Sequence, residues 1–327
     1  MAKHYLVTGG TGFLGAALVK RLLADGHAVR VLDNNSRGAP RRLADVEGAY
    51  EMVVADVRDS DAVTAAAKGV DGILHLAAVN GTEFFYSKPE LVLDVAVRGM
   101  LAVLDACRRN DIADMVVASS SEVYQTPPVV PTDESAPLSV PDVLNPRYSY
   151  GGGKIASELL AVNYGRTGFD RMTIFRPHNV YGPDMGWEHV LPQFALRAAK
   201  AVAEQPEGTI EFPILGDGCQ TRAFVHIDDF TDGLAKVVER GEHQNIYHIG
   251  TPEETTIAEC ARLVVRSFGR DVVIQPSEAP AGETSRRCPD ITKLKTLGYA
   301  PRISLEEGLP SLVEWYAANA HLAPKAA

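Results

Sequence analysis

The chain has 327 residues, of which 46% are hydrophobic and 23% are charged, and its formal net charge at pH 7 is -10. This length accommodates two domains, or one large α/β unit with an appendage, and the composition is that of an ordinary globular protein. The acidic balance and the absence of a Lys/Arg run exclude a nucleic-acid-binding protein from our hypotheses, although a single nucleotide stays possible.

Neither a membrane anchor nor a metal or disulfide framework is predicted. No stretch approaches the roughly 20 apolar residues needed to cross a bilayer. The four cysteines are scattered without the spacing of a zinc site or a disulfide scaffold, which favours reduced thiols,. The N-terminus leads directly into a strand at residues 5–7 and leaves no room for a signal peptide, so we expect a cytoplasmic protein,.

Short apolar runs alternate with helical patterns through the first half of the chain. The predicted strands are residues 4–8, 28–33, 51–54, 72–76 and 114–119, and apolar residues recur at helical spacing in 13–25 and 91–109,. This alternation predicts an α/β fold, a doubly wound parallel sheet with helices on both faces. In such a sheet a ligand binds beyond the carboxyl ends of the strands.

The regular alternation stops after the fifth strand. Residues 125–147 contain six prolines and predict a long ordered loop, a kind of loop that is often functional,. Another strand is predicted at 173–176, turns at 177–186 and 216–220, and a mostly helical tail from residue 257. We therefore expect a cofactor domain over residues 1–176, with 221–247 returning to it, and a smaller substrate domain over 177–220 and 248–327.

The segment TGGTGFLG at residues 8–15 follows the first strand and opens the first helix. Glycines at these positions let the backbone turn tightly and approach a pyrophosphate, which the helix N-terminus then binds. Asp33 ends the second strand 18 residues after Gly15,. A carboxylate there accepts the adenosine ribose hydroxyls and repels a 2′-phosphate, so the pattern predicts NAD. Arg37, close by, keeps NADP as a minor alternative.

Asp56 and Val57 follow the third strand, where a carboxylate and the next backbone N–H could hold the adenine. An aspartate at a strand end is as often a helix cap, so both readings stay open.

A second motif lies at Tyr150 and Lys154, which share one face of a predicted helix,. A tyrosine of pKa about 10 is a poor base at neutral pH, because it is almost entirely protonated there. A nearby ammonium, together with the positive nicotinamide of NAD, favours the phenolate and lowers this pKa. The serines at residues 119–121 end a buried strand upstream, where a hydroxyl points into the ligand crevice,.

With these motifs in order, the sequence resembles the short-chain dehydrogenase/reductase family, and specifically its extended branch of UDP-galactose 4-epimerase-like nucleotide-sugar enzymes. The resemblance runs nearly end to end through the segments HLAA at 75–78, SSSEVY at 119–124, RPHNVYGP at 176–183 and RAFVHIDD at 222–229. It implies a Rossmann domain with a smaller, mostly C-terminal substrate domain, bound NAD, a nucleotide-diphosphate sugar substrate and a homodimer formed through Rossmann helices.

The resemblance also implies roles for individual residues. Tyr150 would be the base, Lys154 would hold the cofactor ribose and tune Tyr150, and Ser120 would relay or orient the sugar hydroxyl proton. The implied cofactor-binding residues are Gly9, Gly12, Phe13, Leu14, Gly15, Asp33, Asp56, Val57, Leu76, Ala77, Ala78, Tyr150, Lys154 and Pro177. The implied substrate-binding residues are Ser120, Ser121, Asn179, His189, Arg222 and Arg287. Asn179 could instead only fix its loop, His189 could cap or pack a helix, and His226 and Asp228 are interpreted as structural.

Several reactions stay open on this scaffold. An epimerase, a decarboxylase and a 4,6-dehydratase all begin with a 4-keto sugar. The dehydratase normally has Asp followed by Glu, whereas this chain has Ser121 followed by Glu122. That pair resembles the Ser-Glu of UDP-glucuronate decarboxylases, yet residues 185–189 lack the arginines with which uronate-handling relatives bind the carboxylate. We therefore predict a 4-epimerase, with a decarboxylase or dehydratase using Ser121 and Glu122 as the alternative. A simple dehydrogenase or a non-catalytic NAD-binding regulator is less expected, the regulator because both Tyr150 and Lys154 are present.

Overall fold

The computed structural model describes residues 1–278 and 285–323. Its strands are β1 His4–Thr8, β2 Ala28–Asp33, β3 Glu51–Val54, β4 Gly72–His75, β5 Asp114–Ala118, β6 Arg171–Pro177, β7 Val180–Tyr181, β8 Ile210–Ile214, β9 Thr221–Arg222, β10 Val225–His226, β11 Asn245–Ile249, β12 Thr255–Thr256, β13 Val272–Pro276 and β14 Arg286–Arg287. Its α-helices are α1 Phe13–Ala24, α2 Ser60–Ala66, α3 Thr82–Ser87, α4 Pro89–Arg109, α5 Ser149–Tyr164, α6 Val190–Glu204, α7 Ile227–Arg240, α8 Ile257–Arg266, α9 Thr292–Lys295 and α10 Leu305–Ala318.

A seven-stranded sheet forms the centre of the molecule, in the order β11-β6-β5-β4-β1-β2-β3. Every neighbouring pair in it is parallel. The order reverses between β1 and β4, and a crevice opens beyond the carboxyl ends of the strands at such a point. The predicted α/β fold, a doubly wound Rossmann-type sheet, is confirmed.

Helices cover both faces of this sheet because side chains alternate along each buried strand. In β1, Leu6 packs into a core with residues of α2, α4 and α5, whereas Tyr5 and Val7 pack into a second core with α1 and α7. Both faces of the sheet are therefore buried at β1, which is why this strand is largely apolar, whereas β3 at the sheet edge is mostly exposed.

The predicted strands 4–8, 28–33 and 51–54 have the predicted bounds, whereas 72–76 and 114–119 each end one residue early, at His75 and Ala118. The extra residues still donate backbone hydrogen bonds to neighbouring strands, Leu76 to Thr8 O at 3.1 Å and Ser119 to Phe175 O at 2.8 Å. Helix α4 begins two residues before the predicted 91–109, at Pro89, because proline suits the first turn of a helix,.

A third core lies outside the sheet and is built from α6, β8, α8 and α10. Here the predicted helical tail is interrupted by β13, which pairs in parallel with β8. Within the predicted return segment 221–247, α7 packs on α1 and the segment ends in β11 at the sheet edge. The division into a cofactor domain and a substrate domain stays a prediction.

The long loop 125–147 is tied down at several points, as an ordered loop requires. Thr132 donates its N–H to Cys288 O at 2.9 Å and accepts from Asp290 N at 2.7 Å. A short 3-10 helix, Pro146–Tyr148, leads from the loop into α5. Across residues 1–278 and 285–323, no helix combines the length and the apolar character needed to span a bilayer, and no group of three potential metal ligands is found.

Candidate active site

A cleft opens where β1, β2 and β4 end, and the glycine segment forms its floor. Gly9 has φ +74°, and a Cβ there would lie 2.7 Å from Ala77 N, so the β1–α1 turn needs glycine,. A Cβ on Gly15 would collide with the Gly9 carbonyl oxygen. Gly12 precedes α1 without a side-chain cap, so the first-turn N–H groups of the helix have no competing side-chain acceptor,.

The residues that line this cleft include most of those predicted to bind the cofactor. Its walls are formed by Gly9, Gly12, Leu32, Asp33, Asn34, Ser36, Arg37, Gly38, Ala55, Asp56, Val57, Leu76, Ala77, Ala78, Val79 and Val95. Of the other predicted residues, Phe13, Leu14 and Gly15 lie in the first turn of α1, and Pro177 ends β6. Asn34 and Ser36 were not predicted as cleft residues from the sequence, although their position shortly after Asp33 pointed to the cleft. No sequence pattern pointed to Val95, which lies on α4.

Two carboxylates stand in this cleft. Asp33 accepts the backbone N–H of Thr11 at 3.0 Å and that of Asn35 at 2.8 Å, which fixes it at the end of β2. Asp56 accepts hydrogen bonds from Arg58, which hold the pKa of Asp56 at about 2. Asp56 does not cap the following helix, because Asp59 accepts the N–H groups at the start of α2. The helix-cap interpretation of Asp56 is therefore wrong.

Arg37, whose position raised the question of NADP, is not a freely solvated side chain. It donates to Asn80 O at 2.8 Å, pairs with Glu188 at 3.3 Å and lies 4.4 Å over the ring of Phe84. Glu188 balances the charge of Arg37, so Arg37 is not an uncompensated cation that could bind a 2′-phosphate. The carboxylate of Asp33, in the same cleft, would repel that phosphate. The glycine turn, the open helix start and the two carboxylates fit NAD.

Substituting Gly15 by alanine is expected to weaken NAD binding at least about tenfold, because the new methyl group must push Gly9 out of its turn,. Titration of the purified protein with NAD, followed calorimetrically, measures this. Gly152→Ala is the matched control, since a Cβ at this helical glycine meets only Val140 Cγ2, at 3.6 Å. Equal NAD affinity of Gly15→Ala and the control would contradict the packing argument.

The second group of side chains lies at the carboxyl end of β5. Tyr150 is buried at the start of α5 and stacks on Phe85, with 5.2 Å between ring centroids. Lys154 lies one turn later, with its Nζ 6.0 Å from the centre of the Tyr150 ring. The same Nζ donates a hydrogen bond to Ala118 O at 2.7 Å. Ser120 caps the short turn that follows β5 by accepting Glu122 N at 3.1 Å, and its side chain interacts with that of Tyr150.

The protein groups alone do not hold Tyr150 in its phenolate form. Burial raises the pKa of Tyr150 to about 12, although the interaction with Ser120 works in the opposite direction. Burial also lowers the pKa of Lys154 to about 8, so its ammonium still predominates at neutral pH. The expected lowering of the Tyr150 pKa therefore depends on the positive charge of the cofactor.

A buried polar network supports this group from behind, and sequence reasoning missed most of it. Glu158 accepts Arg176 Nε at 2.8 Å and Nη2 at 2.6 Å, and it also accepts the Ser119 hydroxyl. Arg176 donates further to the Tyr124 hydroxyl, which lies 2.6 Å from His248 Nε2. Glu158 follows Lys154 by one helical turn on α5, and that spacing was the available signal for it.

On the other side of Tyr150, Glu122 brings together residues from three parts of the chain. It forms an ion pair with Arg287, and Arg147 Nη2 lies 3.8 Å from its second oxygen. The charge of Arg222 also acts on Glu122. Arg287 and Ser121 line a small cavity together with Tyr124, Gln125, Pro127, Thr132, His178 and Cys288.

The remaining predicted substrate residues make local contacts. Asn179 has φ +39° and donates to Ala223 O at 3.3 Å, a contact that fixes its own loop. His189 stands at the start of α6, makes no side-chain cap and packs against Gly186. His226 accepts Asp228 N at 3.3 Å as the cap of α7, a contact of the structural kind interpreted for this pair.

Comparison with known proteins places this geometry in a family. The NAD-dependent epimerase/dehydratase family model matches residues 5–250. UDP-glucuronic acid decarboxylase 2 of Arabidopsis thaliana is 33% identical over 94% of this chain and 67% of its own. UDP-glucose 4-epimerase of Mycolicibacterium smegmatis is 31% identical over 95% of this chain and 97% of its own.

Solved structures agree in fold and in cofactor. DesIV, the dTDP-glucose 4,6-dehydratase of Streptomyces venezuelae with NAD bound, superposes with a TM-score of 0.83 at 31% identity, over 98% of both chains. UDP-glucose 4-epimerase of Thermotoga maritima with UDP-glucose gives 0.84 at 26% identity, over 97% of this chain and 99% of that one. The chain thus belongs to the NAD-dependent epimerase/dehydratase family and uses NAD as its cofactor.

Proposed function

We propose that the protein is a nucleotide-sugar 4-epimerase that acts through a transient 4-keto sugar. The observation that carries this proposal is the pairing of Glu122 with Arg287 beside Tyr150, Ser120 and Lys154. In this arrangement Tyr150 can exchange a proton with one sugar hydroxyl. Glu122, paired with Arg287, does not act as a second acid toward the rest of the sugar ring.

Each side chain of the central group has one task in this reaction. Tyr150 takes the proton of the sugar 4-hydroxyl as the carbon is oxidised, and returns it when the opposite face is reduced. Ser120, whose side chain interacts with that of Tyr150, orients the sugar hydroxyl. Lys154 is held by Ala118 O and keeps a positive charge near the phenol. NAD, when bound, supplies the hydride acceptor and a further positive charge.

The remaining predicted roles are part of the same proposal. The glycine turn and the carboxylates of Asp33 and Asp56 hold the dinucleotide. Arg222 and Arg287 bind the substrate diphosphate, because guanidinium groups form paired, permanently charged contacts with phosphate oxygens.

The state of Glu122 disfavours dehydration. Burial raises the pKa of this carboxyl, but the charges of Arg287, Arg147 and Arg222 outweigh burial and hold the pKa below its ordinary value. Glu122 is therefore ionised at neutral pH and cannot deliver the proton that water elimination needs. Ser121, which stands where dehydratases have an aspartate, is no acid either.

Decarboxylation of a nucleotide uronate is the second candidate, and one observation favours it. Three arginines act on the single carboxylate of Glu122, so this side of the site carries an excess of positive charge suited to an anionic group,. Against it, Asp184 follows the Tyr-Gly-Pro segment and is bound by Arg41 and Arg42. No cation stands at position 184 to hold a uronate carboxylate.

Incubation with UDP-, GDP-, CDP- and dTDP-sugars, uronic acids included, tests the proposal when products are followed by mass spectrometry and NMR. A product of unchanged mass with inverted C4, formed without accumulation of NADH, is expected. Loss of carbon dioxide would establish the decarboxylase instead, and loss of water the dehydratase. Steady NADH release would identify a simple dehydrogenase.

We propose in addition that the protein is a cytoplasmic homodimer. Helices α4 and α5 pack on each other and leave the apolar side chains of Leu93 and Leu159 exposed, which suits a helical interface with a second copy,. All four cysteines are free thiols, as a reducing compartment requires,.

A further inference from the structure

His178 is a buried imidazole whose ring finds no hydrogen-bond partner in the described part of the chain. Only 3% of its surface is exposed, and neither ring nitrogen has a partner among the described residues. Buried polar groups in proteins are nearly always paired, because an unpaired donor or acceptor loses its hydration without compensation. An imidazole left unpaired in this way needs an explanation.

The ring is held in place by close packing. His178 follows β6 directly and donates its backbone N–H to Ile249 O at 3.0 Å. A Cβ on Gly250 would lie 3.0 Å from His178 Cβ, so the backbone behind the histidine approaches as closely as glycine allows. The ring also contacts that of His248, with 4.5 Å between centroids.

His248 cannot serve as the missing partner, because both of its nitrogens are already used. Its Nε2 lies 2.6 Å from the Tyr124 hydroxyl, and its Nδ1 lies 3.1 Å from Asp290 O. The two adjacent histidines therefore differ, since His248 is fully paired and His178 is paired with none of the described residues.

The cavity that His178 lines belongs to the substrate side of the site. Ser121 and Arg287 form other parts of its wall, and its space is about that of one water molecule,. Burial, followed by the neighbouring His248 and then by the charges of Arg287 and Arg176, keeps the pKa of His178 well below its ordinary value. The imidazole is therefore neutral and offers one N–H donor and one acceptor, a combination that matches a hydroxyl group.

We propose that His178 hydrogen-bonds one hydroxyl of the bound sugar at this cavity. It thereby favours sugars that carry this hydroxyl over analogues that lack it. The proposal rests on the proposed function, since it assumes a nucleotide-sugar substrate. A site built to pair with a hydroxyl rejects an analogue that lacks it, because the protein group is then left buried and unpaired.

The test uses the NAD-loaded protein, titrated with UDP-, dTDP-, GDP- and CDP-glucose and with the four free nucleoside diphosphates. His178→Phe is expected to weaken binding of the preferred nucleotide glucose about tenfold and to leave binding of its free diphosphate within about twofold. His178→Gln, which keeps a donor and an acceptor, is expected to recover most of the sugar affinity.

Thermal unfolding without substrate separates this role from a structural one. His178→Phe removes an unpaired polar group and is expected to keep or raise the Tm, whereas the control His248→Phe breaks two hydrogen bonds and lowers it,. Unchanged sugar affinity in His178→Phe would overturn the proposal while leaving the proposed function intact. If the wild-type protein binds none of the four nucleotide glucoses, the proposal for His178 falls, and the sugar panel decides the proposed function separately.

Discussion

Replacing Tyr150 with phenylalanine is expected to lower kcat at least about a hundredfold while NAD binding is retained. The substitution removes only the hydroxyl that exchanges the proton with the sugar. The ring keeps its place, since it is buried and stacked on Phe85. The glycine turn, Asp33 and Asp56, which are proposed to hold most of the dinucleotide, are unchanged, so NAD affinity measured by calorimetry should change little.

Tyr164→Phe is the control for this prediction, because Tyr164 is the last residue of helix α5 and Tyr150 lies in the first turn of the same helix. The guanidinium carbon of Arg108 lies 4.4 Å from the centre of the Tyr164 ring, away from the site. This variant should keep wild-type kcat on the substrate that the sugar panel identifies. A Tyr150→Phe enzyme with more than a tenth of wild-type kcat would remove Tyr150 from its proposed role.

Replacing Arg176 with methionine is expected to lower the free energy of unfolding by about 3–5 kcal/mol. Arg176 is 2% exposed and binds both oxygens of Glu158, so its removal leaves a buried carboxylate without its counter-charge. Urea unfolding of the purified variants measures the loss. The cost comes mostly from the uncompensated charge rather than from the net worth of the pair.

The double variant Arg176→Met/Glu158→Leu separates these two contributions. Since it removes both charges, it should be more stable than Arg176→Met alone. The exposed pair of Lys200 and Glu204 on α6, 3.7 Å apart, provides the control, and Lys200→Met should cost no more than about 0.5 kcal/mol,. A loss below about 1 kcal/mol in Arg176→Met would contradict the argument from burial.

Much of the fold follows from local patterns that can be read along the chain. The strands predicted at residues 4–8, 28–33 and 51–54 have their predicted bounds. In β1 and β2 most side chains are buried, which explains their largely apolar sequence, whereas β3 lies at the edge of the sheet and is mostly exposed,. The glycines of the first turn predicted the cofactor cleft for a similar reason, since a sharp turn against Ala77 admits no Cβ at Gly9. Boundaries were less certain at helix ends, where Pro89 extended α4.

What the sequence by itself determined was the parallel α/β sheet, the NAD cleft and the order of Ser120, Tyr150 and Lys154, because these depend on periodicity and on backbone geometry within a few residues. Tertiary structure alone decided the partners of the charged and polar groups. Glu122 and Arg287 are 165 residues apart in sequence, and Arg37 meets Glu188 across 151. Such pairs depend on which loops converge at the end of the sheet. The same convergence leaves His178 without a partner among residues 1–278 and 285–323.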